Sequence, residues 1–209
     1  GGLKCWGKPG AHLLAQGNST SQLGTSSSPM TNANNIDLGN SCSDTRYIDS
    51  TSCTDAGETW DVPATAAHVS LGTKGHACAL LNDGRIKCWG TNGAGLGLNY
   101  EPVYPTAGQW LGDGESCYTD FTHTNQSDCE AAGESWGPEM GDNLASVDLG
   151  YGCSNPIYMD ASLTASENQT NCEANNHTWS KNISTYVSVG YGHSCALITN
   201  GTIKCWGDG

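Results

Sequence analysis

The sequence predicts an all-β protein of repeated antiparallel hairpin sheets that carry small disulfide-closed loops. Three observations predict it. The stretch His76-Ala-Cys-Ala-Leu-Leu-Asn-Asp-Gly-Arg-Ile-Lys-Cys-Trp-Gly90 recurs as His193-Ser-Cys-Ala-Leu-Ile-Thr-Asn-Gly-Thr-Ile-Lys-Cys-Trp-Gly207. The chain holds 11 Cys in 209 residues, most of them at repeated places. A Cys-x6-Trp unit closes three separate segments, at Cys53–Trp60, Cys129–Trp136 and Cys172–Trp179.

Composition agrees with this class. Apolar residues make up 36 % of the chain, with a single Phe and 28 Gly. Such a chain suits short strands and turns better than a large aliphatic core. Cysteine is the obvious compensation, and its regular placement argues for an oxidising compartment.

Residues 1–7 hold the second half of a hairpin, Gly2-Leu-Lys-Cys-Trp-Gly7, which leaves Cys5 unpaired or bonded between molecules. The chain thus starts inside a repeat and reads as a segment of a longer precursor. Residues 8–90 form repeat 1. Its stretch from Lys8 to Asn35 is rich in Ser, Thr, Gly and Asn and reads as loop, with one short strand near Ala11–Ala15. Ile36-Asp-Leu-Gly39 reads as a strand start before the insert at 42–60. Val69-Ser-Leu-Gly72 leads into the first full hairpin, whose apolar flanks surround Asn82-Asp83-Gly84. A three-residue loop with its Gly in the left-handed position sets Leu81 against Arg85, Leu80 against Ile86, and Cys78 against Cys88. The same register sets Cys195 against Cys205. Opposed strand residues approach closely enough for a disulfide after modest adjustment, so Cys78–Cys88 and Cys195–Cys205 are read as bridges.

Residues 91–209 form repeat 2, with inserts at 108–141 and 153–179. Gly90-Thr-Asn-Gly-Ala-Gly-Leu-Gly97 is a tight turn between strands; no Lys-Ser/Thr follows that would make it a phosphate cradle. Residues 99–114, with Pro102 and Pro105, read as irregular. Val147-Asp-Leu-Gly150 answers Ile36–Gly39, and Val187-Ser-Val-Gly190 answers Val69–Gly72. The three inserts are read as loops closed by Cys42–Cys53, Cys117–Cys129 and Cys153–Cys172. One helical turn is expected after each second Cys, ended by Gly57, Gly133 or Asn176. The Trp then anchors the loop on its parent sheet. Closing loops of this size contributes about 3 kcal/mol each in the chain-entropy model.

The net charge is −13, from 21 acidic and 8 basic residues, and no Lys/Arg cluster exists. A nucleic-acid groove needs such a footprint, so nucleic acid is excluded as a partner. No apolar run reaches the roughly 18–20 residues of a membrane span, and no signal peptide is visible. Six asparagines fit the glycosylation sequon: Asn18, Asn125, Asn168, Asn176, Asn182 and Asn200. Sequons and cysteines point to the same secreted or cell-surface location.

No catalytic constellation stands out. His76 with Cys78 and Cys88 would give only three zinc ligands, and the cysteines already explain each other. The carboxylate pairs Asp113/Glu115, Glu130/Glu134 and Glu139/Asp142 are read as solvated loop charge. Calcium in an Asp-rich turn is a weak alternative, since no EF-hand-like spacing appears. No cofactor or metal is expected. Six of the seven Trp occupy repeated positions and read as packing residues; Trp110 is the exception and the candidate exposed contact.

The ordered set Val-x-Leu/Val-Gly-x-x-x-His-x-Cys-Ala-Leu-x-x-x-Gly-x-Ile-Lys-Cys-Trp-Gly, at Val69–Gly90 and Val187–Gly207, resembles the regulator-of-chromosome-condensation repeat. Of the family's usual tail, repeat 2 keeps Asn92 and Gly95, and repeat 1 has Ser21-Gln-Leu-Gly24 further along. The resemblance implies β-propeller blades of four strands, here an incomplete propeller or part of a longer array. It also implies a Cys pair at these two hairpin positions in secreted members. The three Cys-x6-Trp inserts lie outside the family pattern. Exchange-factor activity is not implied, because acidity and cysteine usage oppose it and fold does not carry function. The expected function is a non-enzymatic extracellular structural or interaction protein. Its expected partners are copies of itself or neighbouring repeats, with glycans as the second class. The alternative is a carbohydrate-binding or inhibitor-type propeller.

Overall fold

A computed structural model describes residues 2–7, 14–15, 25–26, 29, 31, 33–73, 75–91, 110–111, 115–117, 126–133, 136–138, 140 and 144–207. For 91, 110–111, 115–117 and 136–138 only the backbone is described. The described residues are predominantly β, in small antiparallel sheets with three short α-helices.

The first blade has four strands in sequential order: β3 (Ala66–Leu71), β4 (His76–Leu81), β5 (Ile86–Thr91) and β6 (Trp110–Leu111). The second has three described strands, β11 (Ser184–Val189), β12 (His193–Ile198) and β13 (Ile203–Gly207). The expected register holds in both, pairing Cys78 with Cys88 and Cys195 with Cys205. Gly84 fixes that register: its φ is +84°, and a Cβ there would lie 2.7 Å from Ile183 Cβ. Only glycine combines that backbone with that space. Of the range 99–114, read as irregular, residues 110–111 form β6, and the others lie outside the described residues. Trp110 pairs with Thr91 through the backbone and supplies the fourth strand of the first blade.

Each insert is built to one plan, a two-stranded ribbon closed over a helix. β1 (Asn40–Ser41) pairs with β2 (Val62–Pro63) around α1 (Ser50–Asp55). β7 (Glu115–Cys117) pairs with β8 (Trp136–Pro138) around α2 (Gln126–Ala131). β9 (Tyr151–Cys153) pairs with β10 (Trp179–Lys181) around α3 (Ala165–Ala174).

The helices correct the sequence reading. They run up to and through the second Cys of each insert rather than after it. The N-caps of α1 and α3 lie further upstream than expected. Asp49 Oδ1 accepts from Ser52 N at 2.9 Å, and Thr164 with Glu167 forms a reciprocal capping box. Cys53, Cys129 and Cys172 are therefore buried helical residues. The expected stops hold, with left-handed Gly57, Gly133 and Asn176 just past each helix.

Two other expectations change. Ile36–Gly39 and Val147–Gly150 are not strands. Each is an extended segment closed by an Asx turn, with Asp37 or Asp148 accepting from the glycine N–H two residues on, at 2.8 Å in both. The expected strand near Ala11–Ala15 lies largely outside the described residues. Leu14 and Ala15 are buried and belong to no strand.

The core is the set of faces between successive repeats. One face of the first blade, Cys78, Leu80, Ile86 and Cys88, packs on Val187, Ala196 and Ile198 of the second, with Val147 and Leu149 wedged between. The opposite face, Ala77, Ala79, Leu81 and Trp89, packs on Leu3, Cys5, Ile36 and Leu38. Strand alternation puts these sets on opposite sides of one sheet. The first blade is thus covered on both sides, and every residue of β4 is buried.

Candidate functional site

The chemistry of the chain lies in its sulfurs. Four bridges join described residues: Cys42–Cys53, Cys78–Cys88, Cys153–Cys172 and Cys195–Cys205. Cys129 is disulfide-bonded as well, while the side chain of Cys117 lies outside the described residues. The blade bridges cross the hairpin between directly opposed residues. The two described insert bridges tie a buried helical Cys to the end of the ribbon strand that enters the insert. Because Cys78 and Cys88 hold each other, His76 has no thiolate beside it for a metal. Instead its Nε2 sits 3.1 Å from Ser194 Oγ of the second blade, a buried polar contact inside the blade junction. A second polar tie runs from Val189 N–H to Ser70 Oγ at 3.0 Å. Cys5 is a free, half-buried thiol whose pKa burial pushes up. It packs where Cys88 packs in the next repeat.

The insert tryptophan behaves as predicted in the first insert. Trp60 is half-buried beneath the Arg85 guanidinium, whose Cζ lies 5.1 Å from the ring centroid. Arg85 Nε donates to Asp83 at 2.8 Å and its Nη2 to Asn40 O at 2.7 Å. One arginine therefore clamps the insert to the hairpin turn. Beside it a cleft of about 360 Å³ is lined by Ile48, Asp49, Trp60, Arg85, Asp148 and Lys181. Its charges offset each other. The Asp49 carboxyl is held low chiefly by the Ser52 amide it caps, with Lys181 adding a smaller pull.

The sequons do not share one environment. Asn18 and Asn125 lie outside the described residues. Asn168 is 5 % exposed, and its Nδ2 donates to the carbonyls of Asp160, Leu163 and Thr164, while its Oδ1 accepts from Asp160 N–H. A glycan at Asn168 would have to displace one of these donations, since the amide nitrogen would keep a single N–H. Asn182 donates to Leu149 O and Asn200 to Cys153 O, each at 3.0 Å. Asn176 is exposed, with its side chain directed into no such contact. Trp110 is placed on β6 by its backbone, and its side chain lies outside the described residues.

Sequence reasoning missed the exposed apolar surface on the free face of the second blade. Ile203 is 69 % and Leu197 39 % exposed there, beside His193 and Cys205. At the other end Trp6 is 56 % exposed, though it stands in the position of the fully buried Trp89. The alignment of repeats carried that signal, but only the packing shows which copy is buried and which exposed. No helix among the described residues is long and apolar enough to cross a membrane. Among them, too, no group of three His, Cys, Asp or Glu is arranged to hold a metal ion.

The family model of the regulator of chromosome condensation (RCC1) repeat matches residues 66–95 and 185–209. Those ranges cover β3–β5 of the first blade and all of β11–β13 but Ser184. Each blade thus carries a stretch that matches the RCC1 repeat. Comparison with curated proteins found no match, and comparison with solved structures found none either. The RCC1 match leaves out α1, α2 and α3, so the disulfide-closed inserts are additions to the RCC1 blades rather than parts of them.

Proposed function

We propose that this chain is a non-enzymatic extracellular scaffold. Its disulfide-tied RCC1 blades present the inserts as a recognition surface for other proteins or as the subunit contact of a surface fibre. The observation that supports it is the position of the Cys78–Cys88 bridge. Both sulfurs are fully buried in the junction between blades, so the core is assembled around an oxidised pair. A fold of that kind matures in an oxidising compartment. The sequon at Asn176 fits the same location, because the fold leaves that amide open to a glycan.

Non-reducing peptide mapping of natively produced protein tests the reading. It should return the four described bridges and a partner for Cys129. Reduced sulfurs, or bridges joining an insert to a blade strand, would reject it.

A carbohydrate-binding propeller is the second reading, and the cleft beside Trp60 is its natural location. The guanidinium of Arg85 already occupies one face of that ring, which leaves less of it for a sugar to stack on. Glycan-array binding abolished by Trp60→Ala, with the melting temperature unchanged, would favour it over the protein scaffold.

A further inference from the structure

The cleft beside Trp60 has walls from both repeats. The first insert contributes Asp49 and Trp60, and the first hairpin turn contributes Arg85. The extended segment 146–150 adds Asp148, and the segment leaving the third insert adds Lys181. All of these residues lie well inside the sequence, where one repeat packs on the next.

The formal charges of the cleft cancel, but its hydrogen bonds do not. Both carboxylates are engaged. Asp49 Oδ1 accepts from Ser52 N–H at 2.9 Å, and Asp148 Oδ1 accepts from Gly150 N–H at 2.8 Å. So are two carbonyls. Leu149 O accepts from Asn182 Nδ2 and Lys204 Nζ, and Gly150 O accepts from Asn182 N–H. The cations keep donors in reserve. Arg85 directs its Nε to Asp83 and its Nη2 to Asn40 O. Its Nη1 donates to nothing among the described residues, although the side chain is only 11 % exposed. Lys181 Nζ makes no hydrogen bond or ion pair among them either. A polar group removed from water without an acceptor is destabilising, and a ligand that brings one relieves it.

We propose that this cleft binds a sugar acid, a monosaccharide whose carboxylate is taken by Arg85 Nη1 and Lys181 Nζ. A negatively charged group with two acceptor oxygens is what those donors lack. The volume of about 360 Å³ lies at the small end of ligand sites and suits one ring rather than an extended chain. Ser50 and Ser146 also line the cleft and carry hydroxyls suited to those of a sugar. Arg85 covers one face of Trp60, which weakens stacking, but the same contact holds the guanidinium at the wall. Recognition is therefore by charge-assisted hydrogen bonds. The inference rests on the carbohydrate-binding reading and names its ligand class.

The test titrates the oxidised 1–209 chain with D-glucuronate and, separately, with D-glucose. The Trp60 indole N–H and Arg85 amide resonances are followed by NMR. Glucuronate should shift both in a saturable way, and glucose should bind at least about tenfold more weakly. Lys181→Gln should weaken glucuronate about tenfold or more, the loss expected of one charge-assisted hydrogen bond. Lys181→Arg should restore most of it. Lys181 is exposed, so both variants should keep the wild-type melting temperature. Equal binding of the two sugars overturns the sugar-acid inference and leaves the carbohydrate-binding reading standing. No saturable shift with either sugar overturns both. Glucuronate binding that Lys181→Gln leaves unchanged overturns the inference as well, because the carboxylate then lies elsewhere.

Discussion

Asn168 and Asn176 carry the same tripeptide signal and meet opposite surroundings. The first closes the loop before α3 with its own amide, and the second sits exposed past the helix end with φ +62°. Asn168→Gln should lower unfolding free energy by about 1–3 kcal/mol, since several buried partners lose their geometry. Asn176→Gly keeps the left-handed backbone and should change it by less than about 0.5 kcal/mol. Chemical denaturation separates the two. In a glycosylating host, mass spectrometry should find a glycan at Asn176 that the glycine variant lacks. Acid acts at the same end of the insert. The Glu167 carboxyl is held below its ordinary 4.5, first by the Thr164 hydroxyl and then by the Thr164 amide. A lowered folded pKa contributes stability that is present above the unfolded value and lost as pH falls through the folded one. The Thr164 amide resonance should therefore hold steady down to about pH 4.5 and move only below it. Movement near neutral pH would contradict the cap.

The inserts are where elements and sequence diverge most instructively. Their three repeated Cys-x6-Trp signals revealed them, and the closing Gly or Asn placed their ends. Their helices were misplaced because capping residues, not the Cys, set where a helix begins. Asp49 and Thr164 stand well upstream of the bridges. The hairpins were legible to the residue, since a short loop with one obligatory Gly leaves a single register. Removing one bridge with Cys153→Ser and Cys172→Ser should cost about 3 kcal/mol in the chain-entropy model, for a sequence separation of 19. Hydrogen exchange should then rise across α3 while β12 stays protected. Arg85→Ala should loosen the first insert in the same assay. It leaves Asp83, whose side chain is almost fully buried, without its cation, at a cost of about 3 kcal/mol.

At the scale of the molecule, what the sequence could not show is which faces meet. Periodicity finds two sides of a strand, but it does not say that Ile86 is buried and Ile203 exposed. That depends on the number of repeats stacked together, which no local pattern encodes. The blades depend on each other, because Ile198 of one fills the face of the other. Ile198→Ala should cost about 2–5 kcal/mol and shift both blades in one transition. Separate melting of the blades by domain-specific hydrogen exchange would contradict that coupling. The bridges also set how the chain bears tension. A polypeptide drawn out from its two ends can lengthen only along its shortest covalent path. Each cross-link therefore withholds the residues it encloses. For Cys78–Cys88, with a separation of 10, that is about 35 Å of contour length that no pulling force short of bond scission can release. Under load the hairpin tips should stay folded while the junctions between blades give way.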